Sequence, residues 1–137
     1  MKRTALTRKT PLERQGAALQ RKAMKRRKGA AADRRDNETR VDAHGQVWTG
    51  TQYLAAVRMQ SCVVCFARGC EAHHPIHDRH SSARPSHFDA IPLCPRHHRT
   101  GGPGVAIHAG KETWRELHGP DHAHTPGTRW NIMGETA

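Results

Sequence analysis

Two short stretches decide the fold of this chain: CVVCFARGCEAHH at residues 62–74 and LCPRHH at residues 93–98. The first opens with a Cys-x-x-Cys pair and ends in two histidines, and the second has a histidine three residues after its cysteine. Thiolates and imidazoles are the ligands that zinc prefers, and a two-residue gap lets both members of a pair bind one ion. We therefore expect one structural zinc, bound by Cys62, Cys65, Cys94 and His97.

The same stretches contain more ligands than one tetrahedral zinc can use. His73, His74 and His98 remain after the quartet is filled. A closed site builds structure, whereas an under-filled site beside a further imidazole is able to do chemistry. This surplus is the first indication of a second, catalytic metal. Two alternatives stay open: all the histidines serve structural zincs, or Cys70 takes the place of His97.

A Cys2His2 finger is the nearest generic competitor for this pattern. Such a finger has about twelve residues between its second cysteine and first histidine, and three to five between the histidines. Eleven residues separate Cys65 from His77, and only two separate His77 from His80. The spacing therefore argues against a finger of this class.

The composition limits the size of the core and the location of the protein. Of 137 residues only 35% are apolar, with two Phe and one Tyr, and small cores usually need a staple such as a metal. No apolar run approaches ~20 residues, so we expect no membrane span. The first residues lack an apolar signal-peptide segment, so we expect a cytoplasmic protein. In a reducing compartment the four cysteines indicate metal binding rather than disulfides.

The charge is concentrated in the first residues. Residues 1–40 contain fourteen Lys and Arg against four Asp and Glu, a net +10 of the total +11. We interpret residues 1–45 as a basic arm that binds a polyanion, and nucleic acid is the commonest one. Its densest part is Lys25, Arg26, Arg27 and Lys28. The alternative is a solubilising tail without a specific role.

The remaining pattern predicts a small α+β domain at residues 46–120, followed by a tail at 121–137. Thr49 or Thr51 can cap a helix that ends near Met59. Further elements are a short strand and tight knuckle turn at 62–66, strands at 72–76 and 90–93, a helix that begins at 96, and a last helix at about 111–118. We expect Trp114 and Leu117 to lie in the core. The histidines expected to be solvated are His77, His80, His87, His118, His122 and His124.

These motifs resemble those of the HNH (ββα-metal) nuclease family over about residues 50–119. In that family a knuckle precedes a strand that ends in Asp-His or His-His, a loop with Asn follows, and an LC-x-x-C-H segment opens a helix. Phage recombination-enhancement (Ref-like) HNH nucleases look closer still. The matching pieces here are KTPL at 9–12, IPLCPRHH at 91–98 and AIHAGKETWRELHG at 106–119.

The resemblance implies roles for particular residues. His74 would be the general base that deprotonates the attacking water, and His73 and His98 would bind the catalytic metal, Mg or Mn. The third ligand would be His108, beyond an inserted TGGPGVAI loop. Asp89 stands where the family has its Asn, which pins the loop through hydrogen bonds, and an ionised Asp accepts such bonds without donating any.

The resemblance also implies an activity: metal-dependent hydrolysis of DNA phosphodiester bonds by a phage or prophage protein in the bacterial host, with no small-molecule substrate. Arg79, Arg84 and Arg96 are candidates to steady the phosphate. Two other classes remain open. One is a zinc-stapled DNA-binding module without catalysis, and the other is an accessory protein whose arm recruits a recombinase filament.

Overall fold

The computed structural model describes residues 34–78 and 84–134, and the folded unit that these residues define begins at Arg35. This unit is a small α+β structure that contains two two-stranded antiparallel sheets and several α-helices among the described residues. In chain order the elements are β1 (Thr39–Val41), β2 (Val47–Thr49), α1 (Gly50–Met59), β3 (Glu71–His73), β4 (Ile91–Leu93), α2 (Lys111–His118) and α3 (Thr125–Met133).

The first sheet is the β1–β2 hairpin, whose register pairs Thr39 with Thr49. Asp42 stabilises its turn, since one carboxylate oxygen accepts from two backbone N–H groups and the other from the Trp48 indole at 2.9 Å. Strand β1 and Asp42 fall inside residues 1–45, which the sequence analysis assigned to the basic arm. Residues 35–45 belong to the same compact unit as the residues that follow them.

Helix α1 follows the hairpin directly and forms as predicted. The Thr49 hydroxyl accepts from Gln52 N, and the Gln52 side chain accepts from Thr49 N, so both groups complete a capping box. Tyr53 and Val57, one turn apart, are fully buried. This face packs against β3, β4 and α3.

At residues 62–66 the predicted short strand does not form, whereas the predicted knuckle turn does. The segment is a tight turn, closed by hydrogen bonds from Phe66 N to Cys62 O and from Cys62 N to Ala67 O, both 2.9 Å. Phe66 has a φ of 60°, a conformation that is uncommon for a large side chain. The backbone groups of this turn are hydrogen-bonded within the turn, because both of its cysteines must face the same point.

The second sheet pairs β3 with β4, and His73 lies opposite Ile91. Strand β3 ends at His73, earlier than the predicted residue 76. The reason is that Pro75 follows closely, and the N–H groups of Ile76 and His77 donate to the Asp121 carboxylate instead of to a strand. The sheet is thus short, and the two histidines at its end, His73 and His74, contact different partners.

The segment after β4 is a π-helical turn, Arg96–Thr100, where the sequence predicted the start of a helix. Its closing hydrogen bond runs from Gly101 N to Arg96 O at 2.9 Å. π-Helical turns are frequent at functional sites. Helix α2 forms at its predicted bounds with Trp114 fully buried, but the prediction for Leu117 was wrong, since that side chain is 64% exposed.

Helix α3 has no counterpart in the sequence analysis, which treated residues 121–137 as a tail. Met133 is buried in one hydrophobic cluster with Tyr53, Val57, Phe88 and Ala90. A second cluster contains Cys62, Cys70, Ile91, Leu93, Cys94, Ile107 and Trp114. Within residues 34–78 and 84–134, no helix combines the length and the apolar character needed to span a bilayer.

Candidate metal centre

The four predicted zinc ligands converge on one point. Cys62, Cys65, Cys94 and His97 each offer one ligand atom, and these atoms lie within 4.8 Å of one another. The Cys65 and Cys94 sulfurs are 3.7 Å apart, and His97 Nδ1 lies 3.3 Å from Cys94 Sγ and 3.7 Å from Cys62 Sγ. A tetrahedral zinc, with bonds of about 2.3 Å to sulfur and 2.0–2.1 Å to nitrogen, sets its ligands about 3.5–3.8 Å apart. The quartet therefore fits zinc.

The quartet sits where the knuckle turn meets the end of β4. Val63 N donates to Pro92 O at 3.1 Å, and this bond joins the turn to the strand. Burial raises the pKa of the Cys62 thiol, but N–H groups of Cys94, Cys65 and Val64 outweigh that effect and lower the pKa overall. A lowered pKa favours the thiolate, which is the form that binds metal. All four cysteines of the chain are free thiols.

Cys70 lies near the quartet but takes no part in it. Its thiol donates to Ala67 O at 3.4 Å, and the side chain is buried in the hydrophobic cluster. Burial and the neighbouring sulfurs raise the pKa of Cys70 to about 11. Cys70 is not among the residues whose ligand atoms converge, and His97 takes the fourth position.

A second cluster lies beside the first. His73, His98 and His108 bring one nitrogen each within 4.8 Å of the others, and the Nε2 atoms of His98 and His108 are 3.2 Å apart. Bonds of about 2.1 Å to a shared divalent metal place two imidazole nitrogens about 3.0–3.4 Å apart. The three histidines can therefore hold a second metal and leave further positions for water or substrate.

Three separate segments supply these histidines. His73 ends β3, His98 lies in the π-helical turn, and His108 follows the inserted loop. Two backbone bonds hold that loop against the turn, from Ile107 N to His97 O at 3.0 Å and from His108 N to His98 O at 3.3 Å. This pairing carries His108 to the site across nine intervening residues.

Carboxylates orient two of the three rings. His73 Nε2 lies 2.9 Å from Asp121 Oδ2, and His98 Nδ1 lies 2.5 Å from Glu71 Oε2. Each ring thereby turns its other nitrogen toward the cluster, an arrangement common around protein metals. Burial lowers the pKa of His98 and of His108. Neutral imidazoles are the form that a metal requires.

Asp121 is the residue that the sequence analysis missed. It is completely buried, and its carboxylate accepts from His73 and from the backbone N–H groups of Ile76, His77 and His122. Burial alone would raise the pKa of Asp121, but these hydrogen bonds hold it well below its usual range. The only sequence signal was an acidic residue directly after the helix-ending Gly119-Pro120.

His74, the expected general base, points to a different partner from His73. Its Nε2 lies 2.8 Å from Nδ1 of His87, and the two ring centroids are 5.0 Å apart. His74 is outside the three-histidine cluster. Consecutive residues at the end of a strand face opposite sides, which explains the separation.

Two histidines expected to be solvated are buried. His77 is 3% exposed and His87 is 5% exposed. His77 Nε2 donates to Lys111 O at 2.9 Å, while Asp121 N donates to His77 Nδ1 at 3.1 Å. His77 thereby holds the segment after β3 against the start of α2. His122 is exposed as expected, His118 and His124 are half-buried, and His80 lies outside the described residues.

Asp89 forms an ion pair with Arg129 of α3. Arg129 Nε also donates to Phe88 O at 2.8 Å, and Thr125 Oγ1 donates to Asp89 O at 2.9 Å. The Asp89 carboxylate thus accepts from the Arg129 guanidinium, as an ionised Asp is able to do. It fastens the 3₁₀ turn His87–Asp89 to α3.

Of the three arginines expected to contact phosphate, two lie among the described residues. Arg84 and Arg96 are exposed to solvent. Arg99, which sequence reasoning did not single out, pairs with Glu71 beside His98 and is 62% exposed. Arg79 and the basic run Lys25, Arg26, Arg27 and Lys28 lie outside the described residues.

Fold and site together define a small α+β protein with a Cys3His cluster able to hold zinc and a three-histidine cluster beside it. Residues 42–126 match a family described as a protein of unknown function (DUF968). The match covers more than half of the chain and includes all seven cluster residues, so the chain belongs to this family. Searches of curated proteins and of solved structures found no match.

Proposed function

We propose that this protein is a metal-dependent endonuclease of the HNH (ββα-metal) type that hydrolyses DNA phosphodiester bonds. The observation that carries the proposal is the three-histidine cluster, whose member His73 directly precedes His74 in the chain, together with a separate quartet suited to zinc. The order β3, β4 and π-helical turn also agrees with the ββα arrangement of that family. A purely structural role needs one metal and leaves the second cluster unexplained.

His73, His98 and His108 would hold the catalytic ion. A Mg²⁺ or Mn²⁺ ion bound there supplies charge neutralisation for the phosphate and for the departing 3′ oxygen. Asp121 and Glu71 keep the His73 and His98 rings turned toward that position. Three neutral ligands would leave the ion its full positive charge, which suits an anionic substrate.

His74 is the proposed general base. It accepts a proton from water while the water oxygen bonds to phosphorus and the bond from phosphorus to the 3′ oxygen breaks. The products are a 5′-phosphate and a 3′ oxygen that takes a proton from solvent. An imidazole with an ordinary pKa of ~6.5 suits this role at neutral pH.

DNA binding is assigned to the basic first residues and to exposed arginines of the folded unit. Residues 1–40 carry nearly all of the net charge, and Arg84 and Arg96 are exposed. A duplex or single strand supplies the matching polyanion. We further propose a phage or prophage origin, action in the host cytoplasm, and a recombinase filament as a second partner.

Supercoiled plasmid tests this proposal directly. The zinc-loaded full-length protein is incubated with plasmid in Mg²⁺, in Mn²⁺ or in EDTA, and nicked and linear products are quantified. We expect cleavage that needs the added metal and that falls ~10²–10⁴-fold in His74→Ala, with zinc content unchanged. The matched control is His122→Ala, which removes an exposed histidine outside both clusters.

The same experiment can overturn the proposal. DNA that is bound but not cut under any metal condition would leave a zinc-stapled binding module as the function. Cleavage by His74→Ala at the rate of the unsubstituted protein would remove His74 from its role. Cleavage that persists in EDTA would argue against a metal-dependent mechanism.

A further inference from the structure

The segment before β1 packs against the loop that carries His87. Arg35 Nη1 donates to Pro85 O at 3.4 Å, Ser86 Oγ donates to Glu38 Oε2 at 2.7 Å, and His87 Nε2 lies 2.9 Å from Asp36 Oδ1. About fifty residues separate the two segments in the chain. The contacts therefore bring a carboxylate from outside the predicted nuclease domain to the neighbourhood of His74.

His87 connects that carboxylate to His74. Its Nε2 faces Asp36 Oδ1 at 2.9 Å, and its Nδ1 faces His74 Nε2 at 2.8 Å. The ring is only 5% exposed, so both nitrogens find their partners within the protein. The result is a continuous chain of hydrogen bonds, Asp36–His87–His74.

The direction of each bond follows from what the groups can donate. An ionised carboxylate only accepts, so His87 donates its Nε2 proton to Asp36. The Nδ1 of neutral His87 then accepts, and the donor in that bond is Nε2–H of His74. A neutral His74 with its proton on Nε2 carries its lone pair on Nδ1.

We propose that Asp36 and His87 are positioning residues that hold the His74 imidazole in its Nε2–H tautomer and fix the orientation of its ring. The inference rests on the proposed function in one respect, that His74 is the general base. A base held in one tautomer presents the same nitrogen to water in every turnover. The carboxylate acts through His87 and does not touch the reacting atoms.

The packing around His87 leaves it little freedom to turn away. A Cβ placed on Gly50 would lie 2.2 Å from Arg35 O and 3.0 Å from His87 Cδ2, so the start of α1 approaches both segments as closely as glycine allows. Ser86 caps the short turn that begins at His87, since Phe88 N donates to Ser86 Oγ at 3.1 Å. The ring is therefore confined by backbone on one side and by its hydrogen bonds at both nitrogens.

Nitrogen chemical shifts of the imidazole rings test the inference without any need for activity. Long-range ¹H–¹⁵N spectra of the zinc-loaded full-length protein distinguish the two tautomers, and the His74 signals are assigned by their loss in His74→Gln. We expect the Nε2–H tautomer for His74, and a mixture of both tautomers in Asp36→Ala. A His74 signal of the Nδ1–H form, or one that Asp36→Ala leaves unchanged, would overturn the proposal.

Cleavage kinetics supply the second test. We expect Asp36→Ala to lower kcat by about 10- to 100-fold with little change in KM for DNA, a range typical of residues that orient a functional side chain. Asp36→Asn retains an acceptor for His87 and should recover most of the loss. His87→Asn keeps a polar atom near the former Nδ1 and should be more active than His87→Ala.

The control and the outcomes separate this inference from the proposed function. Glu112→Gln changes a carboxylate that is 73% exposed in its side chain and should leave both the shifts and kcat unchanged. Unsubstituted protein that cuts no DNA would refute the nuclease, while the tautomer measurement would still decide the role of Asp36 and His87. Normal kcat in Asp36→Ala, in a protein that does cleave, would refute the positioning role alone.

Discussion

Asp121 Oδ2 lies 2.9 Å from His73 Nε2, although 48 residues separate these two in the chain. The contact joins the end of the second sheet to the turn that precedes α3. Because the same carboxylate accepts from the backbone N–H groups of Ile76 and His77, which follow β3, it both orients a candidate metal ligand and closes the fold.

Asp121→Asn tests the structural half of this role. An amide in the same place offers one acceptor fewer and presents an NH2 group to existing donors, so we expect a loss of about 3 kcal/mol in the free energy of unfolding. The folded-state pKa of Asp121 lies below its unfolded value, so its contribution is fully present above that unfolded value, about 3.9. It is lost as the pH falls toward the folded pKa.

Denaturant titrations of Asp121→Asn and the unsubstituted protein between pH 3 and pH 7 measure that difference. The gap in stability should be constant from about pH 5 upward and should narrow below about pH 4. A gap that widens on acidification would contradict the assigned direction of the pKa shift.

Cys62→Ser should remove the zinc and the cooperative thermal transition together. A structural zinc contributes on the order of 10 kcal/mol, which is comparable to the whole stability of a small domain. Zinc content by elemental analysis and the melting curve give the result. Cys70→Ala is the matched control, because Cys70 is a buried cysteine outside the quartet and should retain stoichiometric zinc.

The three-histidine cluster predicts a loss of metal affinity that is distinct from the loss of a base. His108→Ala should weaken activation by Mn²⁺ by at least about tenfold, since one of three protein ligands is gone, and excess metal should restore part of the rate. His74→Ala should remain slow at every metal concentration. Identical metal-activation curves for His108→Ala and the unsubstituted protein would exclude His108 as a ligand.

Removal of residues 1–33 should weaken DNA binding without abolishing turnover. This boundary leaves Asp36 and the β1–β2 hairpin in place, which a truncation at residue 40 would not. Each lost phosphate contact should flatten the log–log salt dependence of binding by ~0.9. Titration of a labelled duplex at several salt concentrations measures the slope, and an unchanged slope would mean that these residues do not contact DNA.

Gly50→Ala should destabilise the protein by about 1–3 kcal/mol, the usual range for overpacking. The added methyl group would meet the Arg35 carbonyl oxygen at 2.2 Å, so backbone must move. Gly127→Ala serves as the control, since a Cβ there has nothing within 4 Å and should be neutral or stabilising in a helix. Equal melting temperatures for the two variants would show that the segment before β1 moves aside at little cost in stability.

The local elements were predicted well where a signal lies within a few residues. Helix α1 has its cap at Thr49 and its end at Met59, as predicted, and α2 has its predicted bounds. The prediction failed where a distant partner decides the backbone. Strand β3 ends early because Asp121 takes the N–H groups of Ile76 and His77, and α3 is stable because its apolar residues meet α1 and the turn before β4.

The sequence by itself determined which residues are able to bind metal, because thiol and imidazole spacing is a local property of the chain. The spacing distinguished Cys62, Cys65, Cys94 and His97 from the remaining histidines. The ligand atoms of these four residues do converge. Only the tertiary structure decided how the histidines are held. Asp121, Glu71, Asp36 and His87 reach their partners across 48, 27, 51 and 13 residues, and hydrogen bonds of that separation leave no periodic trace in a sequence.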